Sequence, residues 1–432
     1  MTAKNTETAA IEKAGSAGKT GSIEPLIIKT YQASAALRRA SDKQIQSALK
    51  MVAAELEKNS AALLRANAKD LARQEPDNPR NDRLMLNEQR VRDIAQSIRK
   101  VCRLPDPSGK VLEKRKLANG LQVEKISVPL GVVGAIYESR PNVTFDIAAL
   151  CLRSRNACLL KGSGDAEESN RTAAALIRKA LKANGIPADS VTLLPSGREI
   201  VQELFTATRW VDVLIPRGSD ALIRYVRENS LVPVIETGAG VCHLYVHDAA
   251  DLDQAVKIAV NAKVSRPSVC NAIDTILVDR RVAGVFLKKL QPALGKYEVE
   301  LFADASAWRL LKGYPFLQRA GEGDFAREFL SLKCAVKVVK DIDEALSHIQ
   351  RYGTKHSEAI VSRDRRQCER FLHEVDAAAV YTNASTRFTD GEALGLGAEI
   401  GISTQKLHAR GPFALEKLVT EKWLIRGNGQ IR

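Results

Sequence analysis

The stretch ACLLKGSGDAEESNRTAAALIRKALKANGIPADSVTLL, residues 157–194, carries the pattern that decides the fold. A short apolar run is followed by an amphipathic helical segment, residues 170–183, which stops at Asn184-Gly185, and a second apolar run follows. Strand, helix and strand in this order predict parallel strands covered by helices. The same pattern links the apolar runs 132–137, 157–160, 191–194, 211–215 and 233–235.

A second alternating series follows the turn Thr237-Gly238-Ala239-Gly240, which we interpret as a domain boundary. Its predicted strands are 243–246, 275–278, 336–339 and 378–381, and its predicted helices are 254–262, 282–290 and 342–349. Before the first series, residues 25–100 have helical spacing, with a capping box at 41–44. Residues 114–125 alternate around Asn119-Gly120, which predicts a hairpin with a two-residue turn.

Length and composition favour a globular protein of two to three domains. The chain has 432 residues, of which 45% are hydrophobic and 27% charged, and a domain takes roughly 150 residues. Residues 1–24 are polar and rich in small side chains, which predicts a flexible tail and no secretory signal. Because no apolar run approaches the ~18 residues of a membrane-spanning helix, we expect no membrane contact and a cytoplasmic location.

The net charge of +14 raises the question of nucleic-acid binding. The basic residues are spread along the chain, with no zinc-finger spacing and few aromatic residues for base stacking, so anionic small molecules are favoured as ligands and nucleic acid is not expected. The seven cysteines are scattered and odd in number, which indicates a reducing compartment. No histidine or cysteine spacing is typical of a metal site, so no metal is expected.

Cys270 is the candidate nucleophile from residue types alone. It lies in RPSVCNA, residues 266–272, between a predicted helix and a predicted strand, and Arg266 supplies a cation that could lower a thiol pKa. Spacing leaves Cys270 open between a nucleophile and an ordinary buried cysteine. Glu236 ends an apolar strand at a Thr-Gly turn, so it is open between a site carboxylate and a helix cap.

The glycine-rich turns do not have the usual dinucleotide fingerprint. Gly162-Ser163-Gly164 follows a strand and precedes a helix, where a phosphate-binding turn would lie. Glu167 stands where the fingerprint needs its third glycine, and the turns at 238–240 and 395–397 fail in the same way. Taken alone, each is interpreted as an ordinary turn.

Six segments together resemble the aldehyde dehydrogenase superfamily. They are VPLGVVGAIYESRPNVT (128–144), LLKGSGDAEESN (159–170), PRGS (216–219), PVIETGAG (233–240), NAKVSRPSVCNA (261–272) and GAEIGISTQKLHARGP (397–412). Their order and spacing match the family over residues 25–432, and the last two resemble its acyl-phosphate-reducing branch, the gamma-glutamyl phosphate reductases. The resemblance implies an aldehyde dehydrogenase-like α/β fold with two parallel-sheet domains and a β-hairpin oligomerisation element.

The resemblance also implies a division of the chain. Residues 25–111 and 129–237 would form the cofactor-binding domain, and residues 238–395 the catalytic domain that carries the nucleophilic cysteine. Residues 112–128 and 412–432 would be oligomerisation elements, with one hairpin extending a neighbour's sheet in a homodimer or higher homo-oligomer.

Roles for individual residues follow from the same resemblance. Cys270 matches the nucleophile, Glu236 the general base and Asn142 the oxyanion-hole amide. For the cofactor, Lys161 and Ser163 match the residues at the adenine ribose, Gly218 and Ser219 the pair beneath the pyrophosphate, and Glu328 the carboxylate at the nicotinamide ribose. Arg266, Lys406 and Arg410 are candidate clamps for the substrate phosphate and carboxylate, or solvated surface cations. Gly164 replaces a glutamate common in NAD-preferring members, which favours NADP(H).

The implied reaction is the NADPH-dependent reduction of L-glutamyl 5-phosphate to L-glutamate 5-semialdehyde and phosphate through a cysteine thioester, the second step of proline biosynthesis from glutamate. Glutamate 5-kinase would then be a transient partner. The alternatives are a related dehydrogenase with another substrate, a non-catalytic relative that binds nucleic acid, and a scaffold protein. Val241, Lys333-Cys334 and residues 390–394 depart from the branch pattern, which bears on the substrate pocket and leaves the nucleophile untouched.

Overall fold

The computed structural model describes residues 21–76, 81–197 and 199–432. Most of the predicted flexible tail, residues 1–20, therefore lies outside the described residues. The α-helices are α1 Glu24–Arg39, α2 Asp42–Lys58, α3 Ser60–Leu71, α4 Asn81–Leu84, α5 Glu88–Arg103, α6 Pro141–Arg153, α7 Glu167–Ala183, α8 Ile200–Thr206, α9 Asp220–Asn229, α10 Leu252–Val264, α11 Ala283–Gly295, α12 Ala305–Leu310, α13 Ile342–Tyr352 and α14 Arg365–Glu374.

The strands are β1 Val111–Lys116, β2 Gln122–Pro129, β3 Val132–Tyr137, β4 Ala157–Lys161, β5 Val191–Leu193, β6 Val213–Arg217, β7 Cys242–Val246, β8 Ile273–Asp279, β9 Glu300–Ala303, β10 Leu317–Arg319, β11 Lys333–Val339, β12 Ser357–Val361, β13 Ala379–Thr382, β14 Glu399–Ser403, β15 Gly411–Ala414 and β16 Val419–Arg426. They form two parallel sheets and two smaller antiparallel sheets. The predicted α/β class is confirmed.

The first parallel sheet has the strand order β5-β4-β3-β6. Every residue of β3 and β4 is buried, as expected for strands covered by helices on both faces. The predicted strand at 233–235 is reduced to a single parallel bridge between Val234 and Leu214. The predicted helix at 170–183 is confirmed as the greater part of α7.

The second parallel sheet has seven strands in the order β10-β9-β11-β8-β7-β12-β13. The four strands predicted in this half are confirmed as β7, β8, β11 and β13, whereas β9, β10 and β12 were not predicted. In β12 the reason is chemical: Glu358 stands in the middle of the strand and breaks the apolar pattern. Its carboxylate is fully buried and is bound by the ring of His243, 2.9 Å away on β7.

The helical N-terminal region packs against the first sheet. The capping box predicted at 41–44 is confirmed: the Ser41 hydroxyl accepts the Gln44 N–H and the Gln44 side chain accepts the Ser41 N–H. Ile45, Leu49 and Leu56 of α2 are fully buried in the same apolar core as α5, α6 and α7. This core fixes α6, whose first turn carries Asn142 beside the sheet edge.

The hairpin β1–β2 and the last strand, β16, form a three-stranded antiparallel sheet in the order β1-β2-β16. The predicted two-residue turn is wrong, because Lys116 pairs with Gln122 and leaves five residues in the loop. Gly120 takes a φ of 89°, so a turn that bonds its N–H to the carbonyl of Leu117 leads into a left-handed glycine.

Candidate active site

Cys270 lies in the connection between α10 and β8, at the amino edge of the seven-stranded sheet. It is partly exposed, whereas the other six cysteines are buried. Its carbonyl oxygen accepts a hydrogen bond from the Cys242 thiol at 3.2 Å. A Cβ at Gly240 would come within 1.6 Å of that oxygen, so only glycine allows the 238–240 turn to pack against the nucleophile segment.

The charges around the Cys270 thiol come from both parallel sheets. Burial raises the pKa of the thiol to about 11, and the guanidinium of Arg217 opposes that rise. Arg217 is the last residue of β6, so the carboxyl edge of the first sheet faces the amino edge of the second at the thiol. Cys270 is therefore held as a thiol until an attack begins.

Four arginines lie around this thiol, and we call them the arginine cluster: Arg140, Arg217, Arg266 and Arg387. Burial and the neighbouring cations Arg217, Arg83 and Arg266 lower the pKa of Arg140 to about 10. Burial lowers the pKa of Arg217 and of Arg387 as well. Within the described residues, the hydrogen bonds leave the guanidinium groups of Arg140 and Arg217 without an acceptor.

Two carboxyl groups face the same thiol. Glu328 accepts the N–H of Gly240 at 3.0 Å, and burial raises the pKa of its side chain. Burial and the nearby Asp390 raise the pKa of Glu399, the first residue of β14, to about 7. A glutamate with a raised pKa binds a proton more readily than an ordinary glutamate. Glu328 and Glu399 therefore offset the positive charge of the arginine cluster only in part.

Glu236 is not among the charged groups that most affect the pKa of the Cys270 thiol, which are Arg217, Glu328 and Glu399. Its carboxylate accepts hydrogen bonds from Gln405 Nε2 at 3.0 Å and from Arg227 Nη1 at 3.2 Å. Its backbone N–H donates to Gln405 Oε1 at 3.1 Å. Both carboxylate oxygens are therefore engaged by side chains other than the nucleophile.

Asn142 stands in the first turn of α6, after Pro141, whose fixed φ suits the start of a helix. Its Nδ2 donates to Asp146 Oδ2 at 3.0 Å. Burial raises the pKa of Asp146 to about 6, while Asn142 and Arg217 both act in the opposite direction. The Asn142 amide is thus bound to the Asp146 carboxylate, whose pKa is in turn lowered by Arg217 of the arginine cluster.

Ser163, one of the two residues predicted to hold the adenine ribose, lines a groove of about 840 Å³ between α7 and the end of β5. Lys161 ends β4, and its Nζ donates to the carbonyl of Ser196 at 3.0 Å. Ser163 accepts the N–H of Ser139 at 3.0 Å. Hydroxyl groups and cations line this groove, as binding of a nucleotide ribose and its phosphate requires.

The turn predicted to lie beneath the pyrophosphate, Gly218-Ser219, leads into α9 and already holds an anionic side chain. The Ser219 N–H donates to Glu138 Oε2 at 2.8 Å, and its hydroxyl donates to Glu138 Oε1 at 3.1 Å. A helix N-terminus attracts anions because its first N–H groups are unpaired. The carboxylate of Glu138 thus binds the N–H and the hydroxyl of a residue that we expected to lie beneath the cofactor pyrophosphate.

The three predicted substrate clamps fall into two groups. Arg266 is exposed, and its charge lowers the pKa of Arg140 and of Arg387 within the arginine cluster. Lys406 Nζ lies 2.9 Å from Asp376 Oδ2, and Arg410 Nη1 lies 2.8 Å from Asp376 Oδ1. Both cations therefore bind Asp376, and neither is among the charged groups that most affect the pKa of the Cys270 thiol.

Five residues around the thiol and the Gly218-Ser219 turn were assigned no role from the sequence: Glu138, Arg140, Arg217, Arg387 and Glu399. All except Arg387 lie in segments that carry the resemblance to the aldehyde dehydrogenases. The available signal was their position, because Arg217 follows a predicted strand of the first sheet and Glu138-Ser139-Arg140 follows another.

Two further classes of site were searched for over the described ranges. Among these residues, no group of three or more histidine, cysteine or acidic side chains could hold a metal ion. In the same part of the chain, no helix has both the length and the apolar character that crossing a membrane requires.

Comparison with known proteins identifies the family of this chain. The model of the aldehyde dehydrogenase family matches residues 8–306. The gamma-glutamyl phosphate reductase of Chlorobium phaeobacteroides (strain BS1) is 51% identical over 407 residues, which cover 94% of this chain and 97% of that protein. The enzyme of the same name from Bacteroides fragilis (strain YCH46) is 49% identical, with 90% and 95% covered.

Comparison with solved structures points to the same family. The crystal structure of gamma-glutamyl phosphate reductase from Thermotoga maritima superposes with a TM-score of 0.91 at 40% identity, covering 95% of this chain and 99% of that one. An acetylating aldehyde dehydrogenase from Geobacillus thermoglucosidasius, 15% identical, shares the fold with a TM-score of 0.68 over 95% and 97% of the two chains. This chain belongs to the aldehyde dehydrogenase family.

Proposed function

We propose that this chain reduces L-glutamyl 5-phosphate to L-glutamate 5-semialdehyde and releases phosphate, the second step of proline biosynthesis from glutamate. The relatives named gamma-glutamyl phosphate reductase, at about half identity over almost the whole chain, support this substrate. The enzyme is an oxidoreductase of the aldehyde dehydrogenase family.

The observation that carries the proposal is a thiol beside two arginines, Arg140 and Arg217, whose guanidinium groups have no acceptor among the described residues. A mixed anhydride of glutamate and phosphate brings negative charge to within a few bonds of the carbon under attack. Planar guanidinium groups suit bidentate binding of phosphate and carboxylate oxygens. An aldehyde substrate without a phosphate would leave these half-buried cations without an anion.

In the mechanism, Cys270 Sγ attacks the acyl carbon and the C–O bond to phosphate breaks, which leaves a thioester on the protein. The Cys270 N–H and the Asn142 amide would stabilise the oxyanion, and the arginine cluster would hold the leaving phosphate. A bound nicotinamide would supply the hydride that reduces the thioester. The C–S bond then breaks and the semialdehyde is released.

NADP(H) is the proposed cofactor. The family uses a nicotinamide cofactor, and the groove between α7 and the end of β5 is lined by the hydroxyl groups of Ser163 and Ser196 and by the cations Arg171 and Arg178, while Lys161 Nζ binds the carbonyl of Ser196. Gly164 places no side chain at the turn, although Glu167 and Asp189 also line the groove. Glu328 would hold the nicotinamide ribose, and Gly218-Ser219 the pyrophosphate.

The antiparallel sheet β1-β2-β16 supports an oligomer. It presents exposed apolar side chains at Val111, Leu112, Trp423 and Ile425, which solvent would otherwise cover. We propose a homodimer or higher homo-oligomer built on this sheet, a cytoplasmic location and transient contact with glutamate 5-kinase. The dimer is checked by light scattering of the wild type beside Ile425→Lys.

The reaction is tested by phosphate-dependent reduction of NADP+ with glutamate 5-semialdehyde, run beside Cys270→Ala. We expect activity that requires phosphate and that is lost in the variant. Activity without phosphate would assign a hydrolytic aldehyde dehydrogenase instead. If folded wild-type protein shows no activity, the proposed substrate is wrong.

A further inference from the structure

The segment that carries the nucleophile has little regular structure of its own. It connects α10 to β8 over residues 265–272. The Ala272 N–H donates to the Val269 carbonyl at 3.1 Å, which closes a β-turn with Cys270 and Asn271 at its two central positions. Because the direction of the Cys270 side chain depends on this turn, the contacts that hold the turn also orient the thiol.

The side chain of Arg387 spans this segment from its first residue to the turn. Its Nε donates to the Ser265 hydroxyl at 3.1 Å, and its Nη1 donates to Asn271 Oδ1. Ser265 is the first residue after α10, and Asn271 directly follows the nucleophile. The planar fork of one guanidinium group therefore joins the start of the segment to the turn that contains Cys270.

The neighbours of Arg387 reinforce its contact with Asn271. Thr386 Oγ1 donates to the Asn271 carbonyl at 2.7 Å, and Asn271 Nδ2 donates to the Thr389 carbonyl at 2.9 Å. Asn271 is only 5% exposed, so these hydrogen bonds are shielded from water and are stronger for it. Residues 386–389 thus hold Asn271 by both its backbone and its side chain.

Arg387 differs in two respects from Arg140 and Arg217. Within the described residues, the guanidinium groups of Arg140 and Arg217 have no acceptor, whereas two nitrogens of Arg387 are bound by side chains of the protein. Arg217 is also among the charged groups that most affect the pKa of the Cys270 thiol, and Arg387 is not. The contacts of Arg387 therefore bear on the position of the thiol more than on its ionisation.

We propose that Arg387 is a positioning residue, which holds the turn around Cys270 in the geometry for attack on the substrate carbonyl carbon. This inference rests on the proposed function and deepens it. Attack requires the sulfur to lie about 3–3.5 Å from the carbon, and a displacement of about 1 Å lowers the rate on the order of 10²-fold. The chemical steps are those given above, and no proton passes through Arg387.

The test compares Arg387→Ala and Arg387→Lys with wild type in the phosphate-dependent oxidation of the semialdehyde. We expect Arg387→Ala to lower kcat on the order of 10²-fold and to change the KM for phosphate by less than about threefold. Arg387→Lys should remain close to Arg387→Ala, because an ammonium group keeps the charge but lacks the fork that reaches two acceptors. Recovery of kcat in Arg387→Lys would mean that Arg387 acts as a charge, and the inference is overturned. A raised KM for phosphate with kcat retained would assign a phosphate ligand and overturn it as well.

The matched control is Arg370→Ala. Arg370 also binds two side chains, Asp343 and Glu374, but it bridges α13 and α14 instead of holding the nucleophile segment. We expect kcat to stay within about twofold of wild type, because partly exposed ion pairs contribute little. A loss as large as that of Arg387→Ala would mean that removal of any bridging arginine impairs the protein, which contradicts a specific role at the turn.

Iodoacetamide labelling shows whether the variants are folded and whether the thiol ionises as before. The six buried cysteines should stay unlabelled in a folded variant, and the labelled Cys270 peptide is quantified by mass spectrometry. At pH 8.5 we expect Arg387→Ala to label within about threefold of wild type, whereas Arg217→Ala should label more slowly because the thiol pKa rises. If Arg387→Ala labels as slowly as Arg217→Ala, Arg387 acts on ionisation, and the inference is overturned.

Hydrogen exchange of the peptide that spans residues 265–272 separates this inference from the proposed function, since it needs no substrate. We expect exchange to become roughly tenfold faster in Arg387→Ala and Arg387→Lys, and to be unchanged in Arg370→Ala. If exchange rises in this way but wild type does not turn over, only the proposed substrate fails. If wild type turns over and both the exchange and the kcat of Arg387→Ala equal those of wild type, only the role of Arg387 fails.

Discussion

Two groups of cations, one at the candidate active site and one at the surface, differ in whether a carboxylate of the protein pairs with them. Around Cys270, Arg140 and Arg217 are half-buried and have no acceptor within the described residues. At Asp376, Lys406 and Arg410 share one carboxylate and lower its pKa to about 2. Both groups carry two positive charges, but Lys406 and Arg410 have an anion within the protein, and Arg140 and Arg217 have no acceptor among the described residues.

The comparison shows that pairing, more than residue type, marks a cation as a ligand for substrate. Burying a guanidinium without an acceptor has a free-energy cost that folding alone does not recover. A protein keeps such a group where a ligand completes it. Lys406 and Arg410 carry a charge that Asp376 balances, although Arg410 Nε and Nη2 are themselves buried without a hydrogen-bond partner in the described part of the chain.

Of the substitutions that test this comparison, replacement of Arg217 should produce the largest effect on kcat/KM. Arg217→Ala removes the cation that lowers the thiol pKa and one donor for the phosphate, so we expect kcat/KM to fall on the order of 10²-fold in the phosphate-dependent assay. The KM for phosphate should rise with it. Arg217→Lys keeps the charge and should recover part of the loss.

The matched control is Lys406→Ala, which removes a cation that is already paired. We expect kcat/KM to stay within about threefold of wild type, because an exposed ion pair contributes little. Equal losses in the two alanine variants would remove the distinction between the two groups.

Glu138→Gln tests the anion already present at the Gly218-Ser219 turn. The carboxylate accepts two hydrogen bonds from Ser219, and its charge opposes a phosphate at the same helix N-terminus. The neutral amide should lower the dissociation constant for NADP+ roughly fivefold, by removing charge repulsion of about 1 kcal/mol. Fluorescence titration measures this constant, and Glu167→Gln in the ribose groove serves as the comparison variant. Weaker binding in Glu138→Gln would show that the carboxylate positions the turn for the cofactor.

Glu236→Gln should have a smaller effect. The side chain is held by Gln405 and Arg227 and is not among the groups that most affect the pKa of the thiol, so we expect kcat for the phosphate-dependent reaction to change by less than about threefold. A loss on the order of 10²-fold would restore Glu236 as the general base.

Much of the fold could be predicted from local pattern. Continuous apolar runs identified β3, β4, β7 and β8, because strands buried on both faces need no polar side chains. The pattern failed where a long-range contact overrides it. Glu358 is tolerated inside β12 only because His243 on a neighbouring strand binds its carboxylate, and no local window contains both residues.

The candidate site was predictable in its nucleophile and less so in its electrostatics. Cys270 stands out by its sequence context, whereas the importance of Arg217 depends on two sheet edges that meet although 53 residues separate the two positions. Lys406 and Arg410 were chosen for their charge, and the sequence does not reveal that Asp376 takes both. Pairing is a property of the folded chain, so charge alone could not distinguish the two groups.

The smallest expected effect concerns the paired group. The pKa of Asp376 is lowered from 3.8 to about 2 by Lys406 and Arg410, so its carboxylate stabilises the folded state above about pH 4 and loses that contribution as the pH falls toward 2. Because the side chain is 43% exposed, the contribution should be about 1 kcal/mol or less. We expect Asp376→Asn to lower Tm slightly at pH 6, and the difference from wild type to shrink between pH 4 and pH 3. A difference in Tm that stays constant down to pH 3 would mean that packing of the Asp376 side chain, and not its charge, stabilises this region.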